Sequence, residues 1–187
     1  MFPSPYTRET YRYTPLLALI LTPNEWLHPS FGKFLFAACD IVNGVIIYKL
    51  LLRQFRFLVK DRDGATSHSE TLATIFSSVY LLDPLVFSIS TRGSSESVLS
   101  LLVLLTLDFA LRDKWNLAAI FLGISTHWKI YPVIYAASCL SVISNTANTK
   151  EFTVTRMVMS MFSWRNVRFA AVSAGTFLLL GSGCYIV

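Results

Sequence analysis

The stretch Lys33–Arg53, KFLFAACDIVNGVIIYKLLLR, decides the fold. A helix crossing the hydrocarbon core of a bilayer needs about 20 predominantly apolar residues, because about 30 Å must be covered at roughly 1.5 Å per residue. This run has that length, carries a basic residue at each end, and is too long and too uniformly apolar for an ordinary buried helix. It reads as a transmembrane helix. Working outward, Thr71–Thr91 (TLATIFSSVYLLDPLVFSIST) and Val167–Val187 (VRFAAVSAGTFLLLGSGCYIV) meet the same test, and Glu96–Leu111 (ESVLSLLVLLTLDFAL) is shorter but densely apolar.

Leu117–Ile143 is interrupted by His127, Trp128, Lys129 and Pro132. A lysine held at mid-bilayer costs about 2.5 kcal/mol or more unless it reaches water or a cavity. Two short helices meeting at a His-Trp-Lys turn remove that cost. The expected fold class is therefore all-α: a polytopic transmembrane helix bundle of about six crossings, with spans near 33–53, 71–91, 96–111, 117–127, 130–143 and 167–187 and with 117–143 forming a broken helical hairpin. Residues 1–32 read as the remnant of a polar loop, and 33–187 as one membrane domain, since no repeat, low-complexity tract or long linker divides the chain.

Charge placement supports six crossings. The segments 53–70, 112–114 and 144–168 hold ten Lys or Arg, and the alternate segments hold five: Arg8, Arg12, Lys33, Arg92 and Lys129. Cytoplasmic loops carry the excess of positive charge, so the N-terminus and the turns at Arg92 and Lys129 are expected on the opposite face. A single span over 117–143 would move four of those positive charges across the membrane.

The composition agrees. Of 187 residues, 53% are hydrophobic and 14% charged, with mean hydropathy +0.53; soluble domains carry charge on roughly a quarter of their residues. A soluble enzyme is excluded on that ground. The net charge of +5 comes from short clusters between apolar runs, which argues against a nucleic-acid partner. Cys39, Cys139 and Cys184 lie inside apolar stretches and are odd in number, so they read as small core residues rather than a disulfide framework. No cleavable targeting signal is visible. The chain ends inside an apolar run and begins in what resembles the tail of a loop, so it is expected to be an incomplete polypeptide.

Polar residues inside spans need partners or a wet cavity. Asp40 and Asn43 stand three apart, share a helical face and are expected to point into the bundle, where interhelical hydrogen bonding is the simpler role and an ion pathway the sharper one. Asp83-Pro84 is expected to kink its span. Asp61-Arg62-Asp63 is the one Asp-x-Asp in the chain, a pattern that binds metals or sugar donors elsewhere; in the most basic loop it reads as a solvated decoy. His28, His68 and His127 lack metal-ligand spacing, so no metal site is expected. In Thr91–Glu96, Gly93 permits a tight turn, Ser94 or Ser95 is placed to cap the next helix, and Glu96 suits its first turn. Arg92, Ser94 and Glu96 would also suit phosphate and sugar hydroxyls. His127, Trp128, Lys129, Ile130 and Tyr131 gather a cation, an imidazole and two aromatic rings at a hairpin lip, a set suited to a lipid-linked phosphate. Taken alone, the same set is accounted for by interfacial anchoring, with Lys snorkelling and Trp and Tyr marking the headgroup level.

Four segments in order carry a resemblance: Tyr11–Leu17 (YRYTPLL), Phe31–Phe36 (FGKFLF), Leu82-Asp83-Pro84 through Thr91-Arg92-Gly93, and His127–Pro132 (HWKIYP). Over about Ser4–Ile143 the chain is similar to the PIG-M family, the first mannosyltransferase of GPI-anchor assembly. The resemblance implies a GT-C fold in the endoplasmic reticulum membrane, with the active face luminal. It further implies transfer of an α-1,4-linked mannose from dolichyl phosphate mannose to glucosaminyl-(acyl)phosphatidylinositol. On that reading Arg12 and Tyr13 line the acceptor side, Arg92, Ser94 and Glu96 line the cavity, and His127 and Lys129 hold the donor phosphate as it leaves. A small stabilising subunit of the PIG-X type is implied as a partner.

The family's Asp-x-Asp belongs to a first luminal loop upstream of the segment matching Ser4–Leu17. The catalytic carboxylate is thus not identified in this chain, Asp61 and Asp63 are no substitute for it, and the polypeptide alone is expected to be inactive. Rival readings are a non-catalytic membrane subunit that keeps the fold without the base, and a transporter-like protein with a polar path across the bilayer.

Overall fold

The computed structural model describes residues 14–58, 65–147 and 162–186. All regular elements among them are helical: α1 (Pro15–Leu21), α2 (Pro23–Trp26), α3 (Phe31–Leu58), α4 (Ala65–Leu82), α5 (Pro84–Thr91), α6 (Glu96–Leu111), α7 (Trp115–Trp128), a 3₁₀ turn (Tyr131–Val133), α8 (Ile134–Ala147) and α9 (Trp164–Ile186). By length and composition α3 and α9 suffice to cross a membrane, and α4 with α5 make a third candidate span, bent by 45°. The chain divides into two compact units, Ile20–Asp108 and Phe109–Val187 with the N-terminal residues, the boundary falling inside α6 rather than at a linker.

In the first unit α3 packs against α4 and α5. Its buried positions Gly32, Phe36, Cys39, Asp40, Asn43 and Gly44 recur at three- and four-residue intervals and make one stripe. As the spacing predicts, Asp40 and Asn43 face inward. Asn43 Nδ2 donates to the Ser97 carbonyl at 3.0 Å and to Tyr80 Oη at 3.3 Å, while Tyr80 Oη donates to Asp40 Oδ1 at 3.5 Å. These bonds tie α3 to α4 and to the start of α6. Gly44 is small because Leu81 lies on it: a Cβ there would meet Leu81 Cδ2 at 2.6 Å. Buried hydroxyls elsewhere turn back on their own helix, Ser77 to the Thr74 carbonyl and Thr106 to the Leu102 carbonyl, the cheapest way to satisfy an OH without water.

The kink expected at Asp83-Pro84 is a helix restart. Pro84 has no N–H to continue the ladder of α4, and the Asp83 side chain accepts from the Leu85 N–H at 2.8 Å, capping α5.

The second unit is built on α7 against α9, with α8 alongside. Ala118, Ala119, Leu122, Ile143 and Phe169 form its buried core. Two small-residue contacts set the spacing: Gly123 faces the Ser173 carbonyl and Thr176 of α9, and Asn166 Nδ2 donates to Ser144 Oγ at 2.7 Å across α8 and α9. The break expected at His-Trp-Lys is present. Helix α7 stops at Trp128 and Lys129 is extended, with φ −147° and ψ 141°, because a helix continued to Pro132 would drive its ring into the Trp128 carbonyl. Cys39, Cys139 and Cys184 are free thiols. Asp61 and Asp63 lie outside the described residues.

Candidate functional site

Two chain reversals carry the described candidate residues, and they are built differently: one closes through a left-handed glycine, the other through an extended Lys129. At the end of α5, the Gly93 N–H bonds the Ser90 carbonyl at 2.9 Å and the Ser94 N–H bonds the Ile89 carbonyl at 3.2 Å. That pattern closes a helix through a left-handed residue, here Gly93 at φ 86°. It leaves Arg92 exposed and Ser94 and Glu96 half-buried at the start of α6. Of the two serines that the sequence offers as caps, Ser95 does not cap α6 through its side chain. Its hydroxyl is buried without a hydrogen-bond partner among the described residues, while its carbonyl accepts from the Leu99 N–H at 3.3 Å.

The second reversal is His127-Trp128-Lys129. The imidazole of His127 packs edge-on against Phe177 of α9, ring centroids 5.9 Å apart. The Lys129 N–H closes the last turn of α7 on the Ser125 carbonyl at 3.0 Å, and Pro132 is buried beneath the turn. Tyr131 and Ile130 are exposed, as an interfacial pair should be. Trp128 is not. It is 4% exposed, which removes the anchoring role for this ring. Both the Trp128 Nε1 and the His127 Nδ1 are buried without a hydrogen-bond partner among the described residues. Leaving such groups unsatisfied costs about 1–3 kcal/mol each. Two on consecutive residues, next in sequence to a lysine, make this turn a candidate site among the described residues. The sequence places Trp128 in this cluster as an aromatic ring at the membrane interface; its burial comes from packing that no local pattern encodes.

Arg12 and Tyr13 lie outside the described residues. Arg92, Ser94 and Glu96 belong to one compact unit and His127 and Lys129 to the other. Among the described residues no cluster of three or more His, Cys, Asp or Glu could hold a metal ion.

The elements so far define a helical membrane protein whose polar groups gather where its helices break. Comparison with known proteins supplies the family. The family described as Mannosyltransferase (PIG-M) matches residues 89–187, a segment that holds both reversals. A GPI mannosyltransferase 1 of Candida albicans is 47% identical over 147 residues, covering 76% of this chain and 34% of that protein. A GPI alpha-1,4-mannosyltransferase I, catalytic subunit, of Danio rerio is 42% identical over 179 residues, 95% of this chain and 41% of that protein. A GPI mannosyltransferase 1 of Dictyostelium discoideum is 36% identical over 192 aligned positions, 98% of this chain and 41% of that protein. The chain belongs to the PIG-M mannosyltransferase family. It spans 34–41% of the length of these curated relatives. No solved structure matches it.

Proposed function

We propose that this chain forms part of a membrane mannosyltransferase of GPI-anchor assembly, moving an α-1,4-linked mannose from dolichyl phosphate mannose to glucosaminyl-(acyl)phosphatidylinositol at the luminal face of the endoplasmic reticulum membrane. Family membership and the names of the relatives support the reaction class. The observation that carries the site is the pair of buried nitrogens, His127 Nδ1 and Trp128 Nε1, without a hydrogen-bond partner among the described residues and adjacent in sequence to Lys129. In the transfer the bond between the mannose anomeric carbon and the dolichyl phosphate oxygen breaks, and negative charge collects on the leaving phosphate. Lys129 supplies a fixed cation for that charge. Trp128 donates an N–H, and His127 donates a hydrogen bond or a proton. Stabilisation that is stronger on the leaving phosphate than on the bound donor is what lowers the barrier. Arg92, Ser94 and Glu96 are assigned to phosphate and sugar hydroxyls, and Arg12 and Tyr13 to the acceptor. The carboxylate that takes the proton from the acceptor hydroxyl is not assigned. Six crossings, with 117–143 as a hairpin whose Lys129 turn is luminal, complete the reading. A small PIG-X-type subunit is the proposed partner.

The test is a chimera. A relative from Saccharomyces cerevisiae is 45% identical over 135 residues; replacing its matched segment with the residues of this chain should restore GPI-anchored surface proteins in yeast lacking that enzyme. In microsomes the chimera should transfer labelled mannose from dolichyl phosphate mannose. Lys129→Gln should then slow transfer by about 10²–10³-fold, the usual loss when one charge-stabilising donor is removed. An expressed, membrane-inserted chimera that works equally well with Lys129→Gln and His127→Ala combined would refute the assignment.

A further inference from the structure

The other end of α7 carries a second cationic site. The turn Arg112-Asp113-Lys114 closes α6 as Gly93 closes α5: the Asp113 N–H bonds the Ala110 carbonyl at 3.1 Å and the Lys114 N–H bonds the Phe109 carbonyl at 2.9 Å, with Asp113 in the left-handed region at φ 56°. Aspartate tolerates that conformation better than most side chains. Beside this turn is a cavity of about 390 Å³. Its floor is apolar, made by Ile143 and Phe169, each 2% exposed, with the Trp115 ring edge-on to Phe169 at 6.2 Å. Its rim carries Lys114, Arg165 and Arg168 against the single carboxylate of Asp113.

The backbone that carries the two arginines is anchored, while their side chains are exposed. They stand three apart in the first turns of α9 and so share a face. Between them, Asn166 is buried and bonded to Ser144 Oγ at 2.7 Å, and that hydroxyl donates to the Leu140 carbonyl at 2.8 Å. Ser163 starts the helix: its carbonyl accepts from the Val167 N–H at 3.0 Å and its hydroxyl from the Asn166 N–H at 3.4 Å. Like charges kept on one face repel each other, yet none of Lys114, Arg165 and Arg168 forms an ion pair among the described residues, whereas Arg56 and Glu70 do. The first turns of α7 and α9 both line the cavity and add the positive ends of their dipoles to the same field.

The surroundings say where an anion would come from. Helix α9 is a candidate span and the cavity is at its first turn, so the rim stands at the depth where headgroups meet water. Lys114, Arg165 and Arg168 also belong to the segments that the charge asymmetry assigns to the cytoplasmic face, whose leaflet carries the anionic lipids. We propose that this cavity binds the phosphodiester headgroup of an anionic phospholipid, with the arginines and Lys114 on the phosphate, Asp113 and Asn116 taking headgroup hydroxyls, and the Trp115 ring against the glycerol. The site is distinct from the His127–Lys129 turn: α7 spans 14 residues between them, about 21 Å along its axis.

The test uses the full chain in neutral detergent, titrated with dioctanoyl phosphatidylglycerol, dioctanoyl phosphatidylcholine, glycerol 3-phosphate and inorganic phosphate, with binding read by native mass spectrometry and by the shift in unfolding temperature. Phosphatidylglycerol should bind at least about tenfold more tightly than phosphatidylcholine, and the preference should weaken as salt rises. Arg165→Gln with Arg168→Gln should abolish it, while Arg165→Lys with Arg168→Lys should retain most of it. Lys114→Gln, outside α9, should weaken the same preference without touching the folding of that helix. Equal affinity for the zwitterionic lipid, or a preference unchanged in a folded Gln variant, would overturn the proposal. Inorganic phosphate or glycerol 3-phosphate binding as tightly as phosphatidylglycerol would overturn the lipid source, assigning the site to a soluble phosphate.

Discussion

Replacing Gly123 with alanine probes the link between helix packing and the His127 turn. A Cβ built on Gly123 meets the Ser173 carbonyl oxygen at 2.6 Å and Thr176 Cβ at 2.8 Å. Neither neighbour can step aside. The carbonyl is part of α9, and the Thr176 hydroxyl is bonded to the Val172 carbonyl at 2.8 Å, which fixes its rotamer. The helices must therefore part by about 0.8 Å before the methyl reaches an ordinary contact near 3.4 Å. Overpacking of this kind costs about 1–3 kcal/mol, set against a gain of up to about 1 kcal/mol from exchanging glycine for alanine in a helix. A net loss of about 1–2 kcal/mol is expected. His127 and Phe177 stand one turn beyond Gly123 and Ser173, so their 5.9 Å ring contact should loosen with it. Gly181 in α9 is the control, since a Cβ there meets nothing within 4 Å and Gly181→Ala should be neutral or stabilising. Denaturant unfolding in micelles gives both numbers. If Gly123→Ala proves as stable as Gly181→Ala, α7 and α9 do not approach through Gly123 and the geometry of the His127 turn is wrong.

Two further substitutions test the other unit. Asn43→Ala removes the bonds to Ser97 and Tyr80 and should lower unfolding stability by about 1–2 kcal/mol, the upper range for polar contacts between membrane helices; a loss below about 0.3 kcal/mol would mean that Asn43 does not hold α3 to its neighbours. Asp83→Ala removes the cap on the Leu85 N–H and should cost about 1 kcal/mol. Amide exchange should rise over the first turn of α5 and not in α3, and unchanged exchange at Leu85 would contradict the capping role.

Much of this protein is legible in one dimension. Lys33–Arg53 declares a membrane helix because crossing hydrocarbon demands length and apolarity, and both are sums over adjacent residues. Asp83-Pro84, Gly93 and Pro132 declare breaks because their effects are set by backbone sterics within a turn or two. The pairing of Asp40 with Asn43 on one face follows from helical period alone. The tertiary structure decided what those residues touch. Trp128 reads locally as an interfacial anchor and is instead buried, its N–H without a partner among the described residues, since burial depends on which helix arrives from elsewhere in the chain. Gly123 is unremarkable in sequence and becomes a spacing element only when the Ser173 carbonyl, fifty residues on, is set against it. Lys114 and the Arg165–Arg168 pair sit in separate charge clusters until α8 and α9 fold back on α7 and bring them to one rim. Local conformation is governed by neighbours along the chain; a site is made by residues whose nearness only the packed fold supplies.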